Sequence, residues 1–314
     1  MVVALTPITV VTGANSGIGL SLSIRLAKMG VPLLAACRNQ QRANEAAEAI
    51  SQAAGVGVRT GVVDLMSFES VRKFAKSLEK ERVRCLVNNA GCMKSDFKRT
   101  EEDGLETCWQ TNCASQYLLS QLMLPTLRRE SDARLIYVGS RLERRGTLSV
   151  ESIDAAIRGN GGDGGGAPGV NEENYSTFGA YAQSKQAATS LFYGIKAKED
   201  ETTNGVLVCI VTPGMVNTGI SRFLPLYLQY LSFPIRWLVL PTSETGADPV
   251  FYLATTDADA LRSAEGTTTR TTHYWQKRIS PDTEPQCSVE ASAASLDLEI
   301  REKLVELMHK QCSL

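Results

Sequence analysis

The feature that most constrains this chain is a glycine turn placed directly after its first apolar run. Ile8-Thr9-Val10-Val11 leads into Thr12-Gly13-Ala14-Asn15-Ser16-Gly17-Ile18-Gly19, and Leu20–Met29 then repeats its apolar residues at helical spacing. Glycines at such a strand-to-helix corner permit a tight turn, bring backbone close to a pyrophosphate, and let helix pack closely on strand. The helix then presents exposed N–H groups and the positive end of its dipole to the phosphates. Gly13, Asn15, Ser16, Gly17, Ile18 and Gly19 are therefore the expected phosphate-facing set. Their spacing is Gly-x3-Gly-x-Gly, not the Gly-x-Gly-x2-Gly of the usual dinucleotide fingerprint.

Further along, strand-like and helix-like segments alternate, which predicts βαβ units and a parallel sheet. Expected strands are Ile8–Val11, Pro32–Cys37, Val58–Val63, Arg84–Val87, Arg134–Val138 and Val206–Val211, with Thr271–Trp275 as a candidate seventh. Expected helices include Gln41–Ala54, Val71–Leu78, a long Gly104–Leu127 and Tyr181–Lys198. The fold class is thus α/β: a doubly wound parallel sheet of about seven strands with helices on both faces, in one domain. That domain is expected over residues 1–279, with 280–314 forming a linker and a C-terminal amphipathic helix. Leu296, Ile300, Leu304 and Leu307 would share one face of that helix. Gly159–Gly169 is glycine-rich and reads as a mobile surface loop.

The end of the second strand bears on the nucleotide. About twenty residues after the glycines, an acidic residue ordinarily binds the ribose 2′-hydroxyl. Here the strand ends Ala35-Ala36-Cys37-Arg38-Asn39, with no carboxylate. Arg38 could instead pair with a 2′-phosphate, so NADP(H) is the expected cofactor.

Composition excludes several alternatives. Lys plus Arg is 33 and Asp plus Glu is 34, so no basic excess marks a nucleic-acid binder. The cysteines lack metal-ligand spacing and the only histidines are His273 and His309, so no metal site is expected. A reducing, cytoplasmic setting is the expectation. The first strand begins almost at once, which leaves no room for a leader or anchor at this N-terminus. Phe223–Leu240 is the nearest approach to an apolar span, but Pro225, Pro234, Gln229 and Arg236 interrupt it. It could touch a membrane peripherally. The final Cys312-Ser313-Leu314 lacks the basic middle residue of a peroxisomal address.

Tyr181 and Lys185 lie four residues apart on one face of a helix. A nearby ammonium favours the phenolate and would bring the phenol toward a working pKa. Ser140 follows the fifth strand, at the sheet edge where open parallel sheets bind ligands. With these residues in place, the chain resembles the short-chain dehydrogenases/reductases of the single-domain type. The resemblance rests on TGANSGIG at 12–19, Asp64-Leu65, NNAG at 88–91, Asn112, Ser140, YAQSK at 181–185 and PGMVNT at 213–218. Arg38, the long segment after Pro213-Gly214, and Gly246-Ala247 with Tyr252-Leu253-Ala254 look closest to the retinol dehydrogenase-like branch.

The resemblance implies roles. Tyr181 would be the general acid in reduction and base in oxidation, and Lys185 would lower its pKa and bind the nicotinamide ribose. Ser140 would hydrogen-bond the substrate oxygen, and Asn112 would hold a relay water behind Lys185. Asp64 and Leu65 would meet the adenine, Asn89, Ala90 and Gly91 the adenosine ribose, and Pro213, Gly214, Val216 and Thr218 the nicotinamide end. Residues of about 215–245, rich in Leu, Tyr, Phe and Trp, would form a lid favouring a bulky lipophilic carbonyl or alcohol. A homo-oligomer is left open. A catalytically silent NADP(H) sensor is the alternative function. An extended-type epimerase fits less well, because the glycine spacing differs and no substrate domain follows.

Overall fold

Every residue of the β-branched run is buried, and it forms β1 (Ile8–Thr12), the middle of an open sheet. β2 (Leu33–Cys37) pairs with it on one side and β4 (Val83–Asn88) on the other, both parallel. This is a computed structural model, and it describes residues 6–159, 166–203, 205–213, 242–265, 273–275, 286–287 and 291–314. With β3 (Arg59–Val62), β5 (Arg134–Val138) and β6 (Leu207–Thr212), the strand order is β3-β2-β1-β4-β5-β6. The order reverses direction between β1 and β4, which opens a crevice at the carboxyl edge of those strands.

This corrects the count of about seven. Six parallel strands make the body of the sheet. The candidate seventh, Thr271–Trp275, supplies only His273–Trp275, parallel to β6, and Gln286–Cys287 pairs antiparallel outside it. Pairing of three and then two residues fringes the edge without adding a full strand.

Period-two alternation divides the strands between two layers. Val10, Leu34, Leu86, Leu135 and Val208 face one, and Val11, Ala35, Val87, Ile136 and Cys209 face the other. The second layer is covered by α1 (Gly17–Lys28), α2 (Gln40–Ala54) and a helix at Ser243–Thr255. α2 is alanine-rich, begins where the Asn39 side chain accepts from Arg42 N–H, and ends at Gly55 in the left-handed region, φ 73°. The first layer is covered by α3 (Phe68–Ser77), α4 (Ser115–Leu127), Thr177–Asp200 and Leu298–Cys312.

Other expectations change in detail. The long helix expected over Gly104–Leu127 starts at Thr107, where the Glu106 carboxylate accepts from the N–H groups of Cys108 and Trp109 at 2.9 and 2.7 Å. It then passes through a π-helical stretch, Gln110–Ala114, before α4. α5 (Val150–Arg158) starts at a Ser149/Ser152 capping box and ends at left-handed Gly159, just before the glycine-rich stretch. Residues 160–165 lie outside the described residues. The rest of that stretch is tied down, since Gln183 Nε2 donates to Pro168 O at 2.9 Å and Gln311 Nε2 to Gly166 O at 2.7 Å. Most of the expected lid, and with it residues 223–240, also lies outside the described residues. Its last residues, 243–245, are the first turn of the helix Ser243–Thr255. Numbered in chain order, the remaining helices of more than one turn are α6 (Thr177–Asp200), α7 (Ser243–Thr255), α8 (Ala258–Glu265) and α9 (Leu298–Cys312), with a single turn at Ala293–Leu296 before α9.

Of the expected linker before α9, residues 286–287 and those from 291 onward are described, and its end is anchored where α9 begins. The buried Glu143 carboxylate accepts from Ser292 N–H at 2.9 Å, Ser292 Oγ at 2.7 Å and Ser295 Oγ at 2.8 Å. α9 then buries Ile300, Leu304, Leu307 and Met308. Leu296, expected on the same face, is partly buried against that core. Among the described residues, no helix is long and apolar enough to cross a membrane.

Candidate active site

The glycine turn is held against the end of β4 by Thr12. Its Oγ1 donates to Val87 O at 3.2 Å and accepts from the N–H groups of Asn89 and Ala90, each at 3.1 Å. Asn89 Nδ2 donates back to Thr12 O at 2.9 Å. The resulting approach leaves no room for side chains. A Cβ at Gly19 would stand 2.4 Å from Gly13 O and 2.5 Å from Asn89 Nδ2, and one at Gly13 would stand 3.0 Å from Ala90 Cα. Gly13 and Gly17 also adopt φ of 67° and 55°, which a side chain disfavours. α1 starts at Gly17 behind an exposed, extended Ser16 whose side chain makes no cap hydrogen bond. The first backbone N–H groups of α1 therefore face the crevice without a side-chain partner, and a pyrophosphate fits that cradle. Asn15 is half-buried on the turn, and Ile18 points inward and packs in the core.

A second group of residues gathers at the ends of β4 and β5. Asn112 sits in the π-helical stretch, fully buried. Its Oδ1 accepts from Cys92 N–H at 2.8 Å, and its Nδ2 donates to Cys92 O at 2.8 Å and Ser184 Oγ at 3.0 Å. Ser184 Oγ in turn donates to Tyr181 O at 2.8 Å. Both polar ends of the amide are thus engaged by protein, so Asn112 ties the loop after β4 to the helix carrying Tyr181. Gly91 fits against this pair, since a Cβ there would lie 3.3 Å from Asn112 Oδ1 and 3.8 Å from Lys185 Nζ.

Tyr181 and Lys185 project from α6 and are 5% and 3% exposed. Lys185 Nζ donates to Val138 O, the last residue of β5, at 2.9 Å and stands 5.0 Å from the centre of the Tyr137 ring. Ser140 follows two residues later. Its Oγ accepts from Leu142 N–H at 3.3 Å, and the hydroxyl lies near enough to the Tyr181 phenol to pull its pKa down. Burial pushes the phenol up to about 12 despite the opposing pull of Ser140, and burial brings the Lys185 ammonium down to about 8. This departs from the expectation that Lys185 lowers the phenol. Desolvation dominates both groups, and the ammonium is turned toward the Val138 carbonyl.

The expected nucleotide-facing residues Arg38 and Asp64 line a separate cleft of about 340 Å³, with Asn39, Met66, Ser67, Glu101 and Glu102. Arg38 is exposed at the end of β2, with Nη1 3.9 Å from Met66 Sδ. Asp64 Oδ1 accepts from Met66 N–H at 2.9 Å, which shapes the turn after β3. Leu65 is buried in the core beneath that turn. Pro213 follows directly on β6, whereas Gly214, Val216 and Thr218 lie outside the described residues.

Several residues that shape the site were not singled out from sequence. Thr12, Ser184 and the Cys92 backbone act through hydrogen bonds, most of them to residues distant in sequence, that leave no periodic signal. Tyr137 is hidden in an apolar strand. Glu101 and Glu102 read as ordinary surface acids until the fold carries them across the cleft from Arg38.

Known proteins agree with this architecture. A family model for short chain dehydrogenase matches residues 7–152. Retinol dehydrogenase 14 of Homo sapiens is 31% identical over 262 residues, covering 78% of this chain and 72% of that protein. Retinol dehydrogenase 13 of Mus musculus is 30% identical, covering 82% and 73%. Dehydrogenase/reductase SDR family member 13 of Bos taurus is 34% identical, covering 78% and 61%. In fold, the chain matches an alcohol dehydrogenase from Thermococcus sibiricus complexed with 5-hydroxy-NADP (TM-score 0.58, 22% identity, 88% and 99% coverage). It also matches salutaridine reductase from Papaver somniferum (TM-score 0.59, 19% identity, 81% and 97% coverage). The chain belongs to the short-chain dehydrogenase/reductase family and is an NAD(P)-dependent oxidoreductase. Within the family, its relatives place it with the retinol dehydrogenase-like branch.

Proposed function

We propose that this chain is an NADP(H)-dependent oxidoreductase that interconverts a carbonyl and its alcohol on a bulky lipophilic substrate, with Tyr181 as the general acid and base. The observation that carries this reading is the buried Tyr181 phenol, beside Ser140 and four residues from Lys185, at the carboxyl edge of the sheet. The bound nicotinamide supplies or accepts the hydride.

In reduction, Tyr181 gives its phenolic proton to the substrate oxygen as negative charge grows there, and Ser140 Oγ donates a second hydrogen bond to that oxygen. In oxidation, the same phenol oxygen takes the alcohol proton. Lys185, which in this structure donates to the Val138 carbonyl, supports the phenolate by charge when it turns to donate to the bound nicotinamide ribose, while Asn112 fixes the helix and loop that carry the pair and serves the relay behind Lys185. Gly13, Asn15, Ser16, Gly17, Ile18 and Gly19 take the pyrophosphate. Asn89, Ala90 and Gly91 line the adenosine ribose, and Asp64 and Leu65 meet the adenine. Pro213, Gly214, Val216 and Thr218 hold the nicotinamide end. Arg38 pairs with the 2′-phosphate, which gives the cofactor preference.

The lipophilic substrate is supported by the apolar residues between 215 and 245, and by the retinol dehydrogenases among the relatives. We infer a cytoplasmic enzyme that takes small-molecule partners, with peripheral membrane contact through 223–240. The test is a panel of reductions, from small polar to large apolar carbonyls, each run with NADPH and NADH. Turnover of the large apolar compounds, with NADPH preferred by kcat/KM, is the expected result. Turnover of only small polar compounds removes the substrate reading, and equal use of both cofactors by a chain in which Arg38→Ala changes nothing removes the Arg38 reading.

A further inference from the structure

The nucleotide cleft carries a second feature besides Arg38. Of its seven lining residues, Arg38 is the one cation, while Asp64, Glu101 and Glu102 are carboxylates. The last two come from the segment between Thr100 and Gly104, on the far side of the cleft from the end of β2, and this segment is firmly built. Ser67 Oγ, buried at the start of α3, donates to Glu102 Oε2. Asp103 Oδ2 accepts from Phe68 N–H at 2.9 Å and from the Gln110 amide. Thr100 closes the turn, its backbone N–H donating to Leu105 O at 2.8 Å, with Gly104 at φ 67°. Glu102 is therefore held at the cleft wall by a hydrogen bond to a buried hydroxyl.

Two chemical consequences follow from that placement. A 2′-phosphate carries close to two negative charges, so each carboxylate in its cleft opposes it. A ribose 2′-hydroxyl, in contrast, is a hydrogen-bond donor that a carboxylate can accept, and this is how acidic residues at such sites select the dephosphorylated dinucleotide. The chain lacks that acid at the end of β2 but presents two from across the cleft.

We propose that Glu102, with Glu101 beside it, is a specificity-determining residue that works against Arg38, lowering the hold on a 2′-phosphate and keeping the dinucleotide without it usable. The proposal rests on the reading of Arg38 as the 2′-phosphate partner. It is tested by measuring equilibrium dissociation constants for NADPH and NADH, by quenching of protein fluorescence, in the full chain and in Glu102→Gln, Glu101→Gln and Arg38→Ala. Gln keeps an acceptor for Ser67 and removes only the charge. Glu102→Gln is expected to bind NADPH about three- to tenfold more tightly while NADH changes by less than about twofold, and the gain should shrink at high salt. A Glu102→Gln protein whose NADPH and NADH affinities move together, or not at all, overturns the proposal. If that happens while Arg38→Ala still weakens NADPH selectively, only the role of Glu102 fails. If Arg38→Ala is also without selectivity, the Arg38 reading fails with it.

Discussion

Tyr181 and Lys185 are four residues apart on α6, and burial drives each toward its uncharged form, the phenol up to about 12 and the ammonium down to about 8. Through the neutral range the phenol therefore keeps the proton that reduction requires, while Lys185 is the group that titrates. The profile of kcat/KM for carbonyl reduction should fall as pH rises through about 8, and the rate surviving in Lys185→Met should be flat there. Stability carries the same signature. An unfolded lysine titrates near ~10.4, so between about 8 and that value the unfolded chain binds the extra proton and stability rises with pH. Urea unfolding should thus find the stability of Lys185→Met relative to the unmodified chain highest near pH 7 and declining toward pH 10. An unchanging difference across that range would show that Lys185 does not titrate there. That Tyr181, Lys185 and Ser140 gather at one edge of the sheet was legible because their types and spacing mark a candidate site on their own. The direction of the phenol's displacement was not, because it depends on how deeply α6 is buried and on which carbonyl the ammonium finds.

At the scale of elements, the glycine turn is where sequence and geometry agree most closely. The strand, turn and helix were each legible from a β-branched run, a glycine pattern and a helical period. The structure adds the reason for Gly19: the backbone of Gly13 and the side chain of Asn89 fill the space a Cβ would need. Gly19→Ala must displace backbone, and it is expected to weaken NADPH binding at least about tenfold and to cost about 1–3 kcal/mol of stability. Gly57→Ala, where nothing lies within 4 Å, should change stability by less than about 0.5 kcal/mol. Fluorescence titration and urea unfolding of the two variants check this, and equal behaviour would contradict the packing argument. The π-helical stretch that seats Asn112 was not legible, because a one-residue change of helical period leaves no mark in an apolar pattern. α7 was likewise masked by the apolar run before it.

For the whole molecule, the parallel sheet of βαβ units came through from alternation, since buried parallel strands must be joined by helices, whereas the strand order was not legible. The closure of the molecule by its C-terminal segment was only half legible. The apolar face of α9 is visible in sequence, but the Glu143 carboxylate that receives Ser292 and Ser295 becomes a partner only in three dimensions. Leu304 is fully buried where α9 packs against the first core layer, so Leu304→Ala should cost about 2–5 kcal/mol in urea unfolding. A cost below about 1 kcal/mol would mean that α9 does not belong to that core. The site we propose on these layers, an acid–base tyrosine beside a nicotinamide cradle, is tested most directly by following NADPH absorbance under single-turnover conditions with a bulky apolar carbonyl, in the unmodified chain and in Tyr181→Phe. The account predicts NADPH affinity within about twofold in the two proteins, and oxidation of NADPH slowed by about 10²-fold or more in Tyr181→Phe, the scale of a lost general acid. A Tyr181→Phe protein that oxidises NADPH at near the original rate would contradict it.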